Sequence, residues 1–167
     1  MQFWSEGVFL VYQLYPFSAE DVPALLQLFY ETIHHVNTKD YTPDQINAWA
    51  PKTVYERAPL WLESLQAHKT VVVKTTDGQI VGFGDMTPEG YFDRLYVHKD
   101  HQRCGVATMI ADFLEKYATS CGHTEIEVHA SITARPFFES RGYIVTKAQQ
   151  VERLGITIPN FIMKKTI

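Results

Sequence analysis

Val22, Leu25, Leu26, Phe29 and Ile33 recur at the three- and four-residue steps that place apolar side chains on one face of a helix. Ser18, with Asp21 three positions on, supplies a capping-box start, and Pro23 falls in the first turn, where proline costs little. A sharper start is Thr42-Pro43-Asp44-Gln45, with Thr as cap, Pro at the first helical position and Gln three residues after the cap. That helix runs to about Ala50 and stops at Pro51. A third, between Thr53 and Ala67, is bent or delayed by Pro59 and carries Leu60, Trp61, Leu62 and Leu65. Ahead of all three, Val8 to Tyr15 is rich in β-branched and aromatic residues and ends at Pro16, which predicts a first strand; the residues before it read as peripheral. From Thr70 the period changes. Thr70 to Thr75, Ile80 to Met86 and Tyr91 to Val97 are strand-like and joined by Asp77-Gly78 and Pro88-Glu89-Gly90, an antiparallel meander. Val106, Ile110, Phe113, Leu114 and Tyr117 then line one face of a helix that closes near Gly122, at the expected C′ position. Glu125 to Ala130 predicts a fifth strand, Thr133 to Ser140 a short helix, Tyr143 to Gln149 a sixth strand and Ile156 to Ile167 a seventh.

Composition narrows the class of partner. A chain of 167 residues, 46% of them hydrophobic, can bury one substantial core, and no Ser/Gly-rich linker divides it, so a single domain over 1–167 with its core from about residue 8 is expected. The formal net charge of -4, with no basic tract, argues against a nucleic-acid or anionic-membrane surface and for a small-molecule partner. Cys104 and Cys121 are too few and too far apart for a disulfide framework or a CxxC metal site, and no apolar run approaches ~20 residues. The N-terminus lacks a positive stretch leading into an apolar one, so the expected location is cytoplasmic. A homodimer is compatible with this reading.

The stretch that organises the second half is Gln102-Arg103-Cys104-Gly105-Val106-Ala107-Thr108, set between a predicted strand and a predicted helix. A tight turn there presents unpaired backbone N–H groups at the positive end of a helix dipole, which suits a phosphate. Gly105 lets ligand and backbone approach, and Arg103 can add a charge-assisted hydrogen bond. The run QRCGVA resembles the Q/R-x-x-G-x-G/A signature of the GCN5-related N-acetyltransferases, matched at Gln102, Gly105 and Ala107. Ser131 to Tyr143 resembles the family's second segment, N-x-x-A-x-x-x-Y-x-x-x-G-F, through Ala134 and Gly142, with Ser131, Phe138 and Tyr143 standing where Asn, Tyr and Phe are usual. The likeness covers about residues 8 to 167. A YafP-like branch is suggested by Asp40 to Pro51 and by Gly155 to Lys165.

That resemblance implies an α/β acyl-CoA N-acyltransferase fold: a mixed, mostly antiparallel seven-stranded sheet flanked by helices and splayed open between its fourth and fifth strands. It implies acetyl-CoA as cosubstrate, with the loop amides of Arg103 to Thr108 on the pyrophosphate. The backbone of Leu95, Tyr96 and Val97 would pair with the pantetheine arm, the Val97 amide would lie near the thioester oxygen, and Ser131, Ala134 and Phe138 would stand on the coenzyme side. It also puts the helices between the first two strands on one wall of the acceptor pocket, where Tyr41, Trp49 and Trp61 are the aromatic candidates.

Acetyl transfer to an amine needs a held thioester, a polarised carbonyl, a neutral attacking nitrogen and a route for the thiolate to leave. For the base, period two puts Tyr91, Asp93, Leu95 and Val97 on one face, which makes Asp93 the first choice. Asp85, near the end of the third strand, and His34 or His35, at the end of the first helix, follow. For the acid, Phe138 cannot donate a proton, and a thiolate whose conjugate acid has a pKa of ~8.5 is a tolerable leaving group without one. Seven histidines invite a metal reading, but His98-Lys99-Asp100-His101, His34-His35 and His129 offer no third ligand at a motif spacing, so no metal is expected. Cys104 lacks the motif-spaced histidine that would mark a nucleophile. The expected reaction is direct transfer from acetyl-CoA to the primary amine of a small molecule. The alternative is a CoA-binding sensor or partner-recognition module on the same fold, with Phe138 marking weakened catalysis.

Overall fold

The computed structural model describes residues 11–167, so the part of the expected first strand at 8–10 lies outside the described residues. In chain order the elements are β1 (Tyr12–Pro16), α1 (Val22–His35), α2 (Pro43–Trp49), α3 (Ala58–Ala67), β2 (Lys69–Thr75), β3 (Ile80–Met86), β4 (Tyr91–Val97), α4 (Val106–Ser120), β5 (Glu125–Ser131), α5 (Arg135–Ser140), β6 (Ile144–Arg153) and β7 (Ile156–Thr166). One seven-stranded sheet runs in the order β1-β2-β3-β4-β5-β7-β6 and is antiparallel except between β4 and β5. No helix among the described residues is long and apolar enough to cross a membrane.

Local chemistry accounts for the helix starts. Thr42 caps α2 by accepting from the Gln45 amide at 3.2 Å, while Gln45 returns its carbonyl to the Thr42 N–H at 3.0 Å. The Ser18–Asp21 pattern instead opens a 3₁₀ turn over Ala19–Asp21, where the Ser18 N–H donates to Asp21, and α1 begins one residue later. Pro59 does delay the third helix: residues Lys52–Arg57 form a 3₁₀ segment and α3 starts at Ala58. The sixth strand begins at Ile144 and runs on to Arg153, four residues past its expected end, because β7 offers it a continuous partner as far as Arg153↔Ile156.

The core lies in two layers, one on each face of the sheet. Helices α1 to α3 bury Leu25, Leu26, Ile33, Ile46 and Leu65 against Val72, Phe83 and Ile158. On the other face α4 presents Val106, Ile110, Leu114 and Ala118 to Val71, Val73, Val81, Met86 and Phe92. This second contact is unusually close, and two glycines of β3 make it so. A Cβ on Gly82 would fall 2.5 Å from Val106 Cγ1, and one on Gly84 would fall 2.6 Å from Ile110 Cγ2 and 2.9 Å from the Arg94 carbonyl. The close seat of α4 on β3 is what aims its N-terminus along the end of β4.

Gly84→Ala should therefore destabilise the protein by ~1–3 kcal/mol through overpacking, read from the denaturant midpoint. An unchanged midpoint would mean that α4 can lift from the sheet without loss.

Candidate active site

Strands β4 and β5 pair only at Tyr91↔Glu127 and Phe92↔Val128, then diverge. Along its other edge β4 stays bonded to β3, with Phe83↔Tyr96 and, just past the strand, a His98 N–H to Val81 carbonyl bond of 2.8 Å. Antiparallel alternation then turns the N–H and C=O groups of Leu95 and Val97 away from β3 and into the gap. The Val97 carbonyl is already taken: it accepts from Thr32 Oγ1 at 3.0 Å and from Gln102 Nε2 at 2.7 Å. Among the described residues its amide has no strand partner to meet, nor has either backbone group of Leu95.

The gap opens into a cleft of about 830 Å³. One end is closed by the loop before α4, where Arg103 (φ 58°) and Gly105 (φ 86°) curl the chain through the left-handed region. That curl sets successive amides around a concavity at the N-terminus of a fifteen-residue helix, an arrangement that attracts anions. Of the residues expected on the coenzyme side, Leu95, Tyr96, Val97, Gln102, Arg103, Gly105, Val106, Ala107, Thr108, Ser131, Ala134 and Phe138 all line the cleft, whereas Cys104 does not. Within this set the Gln102 side chain braces the loop against β4, and Ser131 Oγ accepts the Ala134 N–H at 3.0 Å, shaping the turn into α5.

Phe138 is 2% exposed and meets Phe92, Phe137 and Tyr143 edge to face at 5.0–5.5 Å. Tyr143 is no substitute for a missing hydroxyl. Its OH donates to Glu115 Oε1 at 3.1 Å, on the side of α4 away from the gap, and burial beside that carboxylate holds its proton far above the usual phenol range.

The base candidates separate clearly. Asp93 lines the cleft, but not on the face that strict alternation assigns. The β3–β4 register slips between Asp85↔Arg94 and Met86↔Phe92, so Asp93 is the extra residue of a β-bulge. Leu95 and Val97 consequently pack in the α4 layer with Phe92, while Arg94 and Tyr96 turn to the α1–α3 side, with the Arg94 guanidinium 4.9 Å above Trp61 and the Tyr96 ring 4.9 Å from Phe29. Asp93 keeps company with this second group: its Oδ2 is 3.5 Å from Arg94 Nη1 and 3.7 Å from His68 Nδ1. Asp85 is fully buried behind it, accepts from His68 Nδ1 at 2.7 Å and from Arg94 Nη1, and does not reach the cleft. His34 is also placed elsewhere, with Nε2 2.7 Å from the Ala50 carbonyl and its ring stacked on Tyr30, and His35 bonds back to the Glu31 carbonyl.

Desolvation, with repulsion from Asp85 second, pushes the Asp93 carboxyl above its ordinary 3.8, against the pull of Arg94, His68 and His129. Tyr91, half-buried beside Asp93 and Glu127, is pushed up to about 12 and keeps its proton at neutral pH. Three groups here were not expected from sequence as parts of the acceptor side. His68 and Arg94 surround Asp85, and His129, considered above only as a metal ligand, faces the cleft from β5, bonded to Glu127 at 2.9 Å and within 3.3 Å of Gln149 Nε2. Period two along β5 does put Glu127 and His129 on one face, so that pair had a signal. His68 had only the Asp77-Gly78 hairpin, whose register carries the start of β2 opposite Met86. His68, Asp85 and Asp93 bring three potential metal-ligand atoms within 4.8 Å of one another, but the Arg94 guanidinium already sits against both carboxylates as their cation. Tyr41 and Trp49 stand edge to face, and the Tyr41 hydroxyl ties β7 to the turn after β5, donating to the Pro159 carbonyl and accepting from the Ile132 N–H, each at 2.8 Å.

The sheet is thus splayed at its centre, with a helix N-terminus at one end of the gap. A family model described as "Acetyltransferase (GNAT) domain" matches residues 37–166. The uncharacterised N-acetyltransferase YafP of Escherichia coli K12 is 35% identical over 152 residues, 91% of this chain and 94% of its own. Among solved structures, a GCN5-related N-acetyltransferase from Rhodopseudomonas palustris superposes with a TM-score of 0.88 at 29% identity, covering 96% of this chain and 99% of its own. PaiA N-acetyltransferase from Thermoplasma acidophilum, in complex with coenzyme A, shares the fold at a TM-score of 0.73 and 16% identity, with 94% and 99% covered. The chain belongs to the GNAT family of acetyl-CoA-dependent N-acetyltransferases, and within it resembles YafP.

The upward shift of Asp93 has a consequence for stability. Between pH 3.8 and its folded value the native state keeps a proton that the unfolded chain has lost, so stability falls as pH rises through that window and the deficit persists above it. Asp93→Asn should raise Tm at pH 7, with the gain shrinking as pH falls toward 4; a pH series of melting curves checks this. A lower Tm for the variant at pH 7 would show that its ion pairs outweigh desolvation.

Proposed function

We propose that the β4–β5 gap holds acetyl-CoA and that a small primary amine attacks from the side of α1 to α3, with Asp93 as general base. The observation that carries this reading is the Leu95 backbone and the Val97 N–H, without a strand partner among the described residues and running toward the anion-attracting loop at Arg103 to Thr108. An extended pantetheine arm fits beside β4 as an added strand, with its pyrophosphate at the α4 N-terminus. The free Val97 N–H is suited to polarise the thioester carbonyl.

Chemically, the ammonium of the acceptor first gives a proton to Asp93. The lone pair of the neutral amine then attacks the thioester carbon, the C–S bond breaks, coenzyme A leaves as thiolate, and the newly acylated nitrogen sheds its second proton to water. Phe138 carries no hydroxyl and the Tyr143 hydroxyl is turned to Glu115, so neither protonates the sulfur and the thiolate takes its proton from water. That same absence supports the second reading, a CoA-binding sensor or recognition module. Amine-dependent release of thiol from acetyl-CoA separates the two: transfer requires it, and a sensor binds coenzyme A without it.

Two variants test the first reading. Apart from its chain neighbours, no atom of the described residues lies within 4 Å of the position a Cβ would take at Gly105, so a Gly105→Val side chain has room to enter the cradle while straining a φ of 86°. Calorimetry should find coenzyme A bound ~10-fold or more weakly, about 1.4 kcal/mol; unchanged affinity in the folded variant would move the coenzyme elsewhere. Asp93→Asn should lower turnover ~10²-fold with coenzyme A affinity nearly intact, because a base acts in the chemical step. Full activity in that variant would remove Asp93 from the reaction.

A further inference from the structure

Behind Asp93 stands a closed cluster of charge that direct contact with an acceptor does not require. Asp85 is fully buried, and a single oxygen of it, Oδ2, takes both the His68 Nδ1 hydrogen bond at 2.7 Å and the Arg94 Nη1 contact. Its other oxygen, Oδ1, is buried and has no hydrogen-bond partner among the described residues. Arg94 is fixed from two further sides, by Nη2 donating to Ser64 Oγ at 2.9 Å and by the Trp61 ring. An uncompensated carboxylate oxygen in an apolar interior is expensive, so a cluster of this kind calls for an explanation.

We propose that His68 is a positioning residue that sets the proton affinity of Asp93. The proposal rests on Asp93 being the base. The charges facing Asp93 are Asp85 from β3, Arg94 beside it on β4, His68 from the junction of α3 and β2, and His129 from β5, with Tyr91 and Glu127 adjoining. Arg94 is a permanent cation and, with Asp85, leaves no net charge. His68 is therefore the one member of the inner group whose charge is adjustable, and it lies 3.7 Å from the Asp93 oxygen. The hydrogen bond to Asp85 holds the imidazole above its ordinary 6.5, against desolvation. His68 is thus held toward the imidazolium form, and in that form it limits the rise that burial and Asp85 impose on the Asp93 carboxyl. Removing the imidazolium while keeping a donor to Asp85 should make Asp93 a stronger base. The orphan oxygen of Asp85 fits the same account, since an incompletely satisfied carboxylate keeps its negative potential directed at its neighbours.

The test is a ¹³C-carboxyl NMR titration of the full-length protein, with the Asp93 resonance assigned by its loss in Asp93→Asn. In His68→Asn the Asp93 midpoint should move up by about one pH unit, a tenfold change in proton affinity. In His68→Lys, which restores a cation, it should return toward the wild-type position. His68→Gln is read in the same way should His68→Asn not fold. A midpoint unmoved in the folded neutral variant overturns the inference and leaves His68 a structural contact. The acid limb of kcat/KM, measured with acetyl-CoA and spermidine or phenethylamine as probe acceptors, should follow the same shift. If the NMR midpoint moves but Asp93→Asn keeps the wild-type acid limb, the electrostatic role of His68 stands and the assignment of Asp93 as base fails.

Discussion

One extra residue in β4 controls the layout of this protein. Up to Phe92 the strand is paired on both edges, to Met86 on one side and to Val128 on the other. At Asp93 the bulge twists and bends the strand, and pairing with β5 goes no further. Beyond it, the Leu95 backbone and the Val97 N–H face the gap, and the two side chains have changed face to join the layer under α4. The same bulge turns Asp93 and Arg94 together toward α3, where Asp85 and His68 wait. Cleft, exposed amides and charged cluster therefore share one cause, and the glycines at 82 and 84 complete it by letting α4 sit low enough for its N-terminus to close the far end.

Much of this was legible in the chain. Helical spacing of apolar residues, the Thr42 cap, the Gly122 stop and the strand-like runs of β2 to β5 are local signals, and local signals survive folding when they agree with tertiary packing. The tight turn ahead of α4 was legible for the same reason, since its amides and its glycine lie within seven residues. What could not be read was anything set by register. Strict alternation puts Asp93 with Leu95 and Val97, and a bulge is invisible until β3 and β4 are laid side by side. His68 and Asp85 are seventeen positions apart and meet only because β2 and β3 form a hairpin of that length. His34 drew notice as a titratable group near a helix end, yet the Ala50 carbonyl and the Tyr30 ring hold it outside the cleft.

Stability and chemistry pull against each other at Asp93. A carboxylate half-withdrawn from water beside a second, buried one is unfavourable for the fold, and the two cations around the pair only reduce the penalty. Groups whose proton affinity is displaced in this way cluster at functional sites, because a base needs an affinity nearer the working pH than an exposed aspartate has. Phe138 and Tyr143 follow the opposite logic. Their rings fill the apolar layer beneath the gap, and the one hydroxyl among them is drawn off to Glu115, so the coenzyme side of the cleft is shaped by packing and backbone.

The central claim is that the edge of β4 exposed by the bulge is the surface on which coenzyme A lies. Residue-resolved amide hydrogen exchange with and without coenzyme A tests it directly. The Leu95 and Val97 amides should exchange rapidly in the free protein and gain protection on binding, together with amides of Arg103 to Thr108, while Tyr96, already bonded to β3, changes little. Protection appearing on binding elsewhere, with Leu95 and Val97 left as they were, would contradict the account.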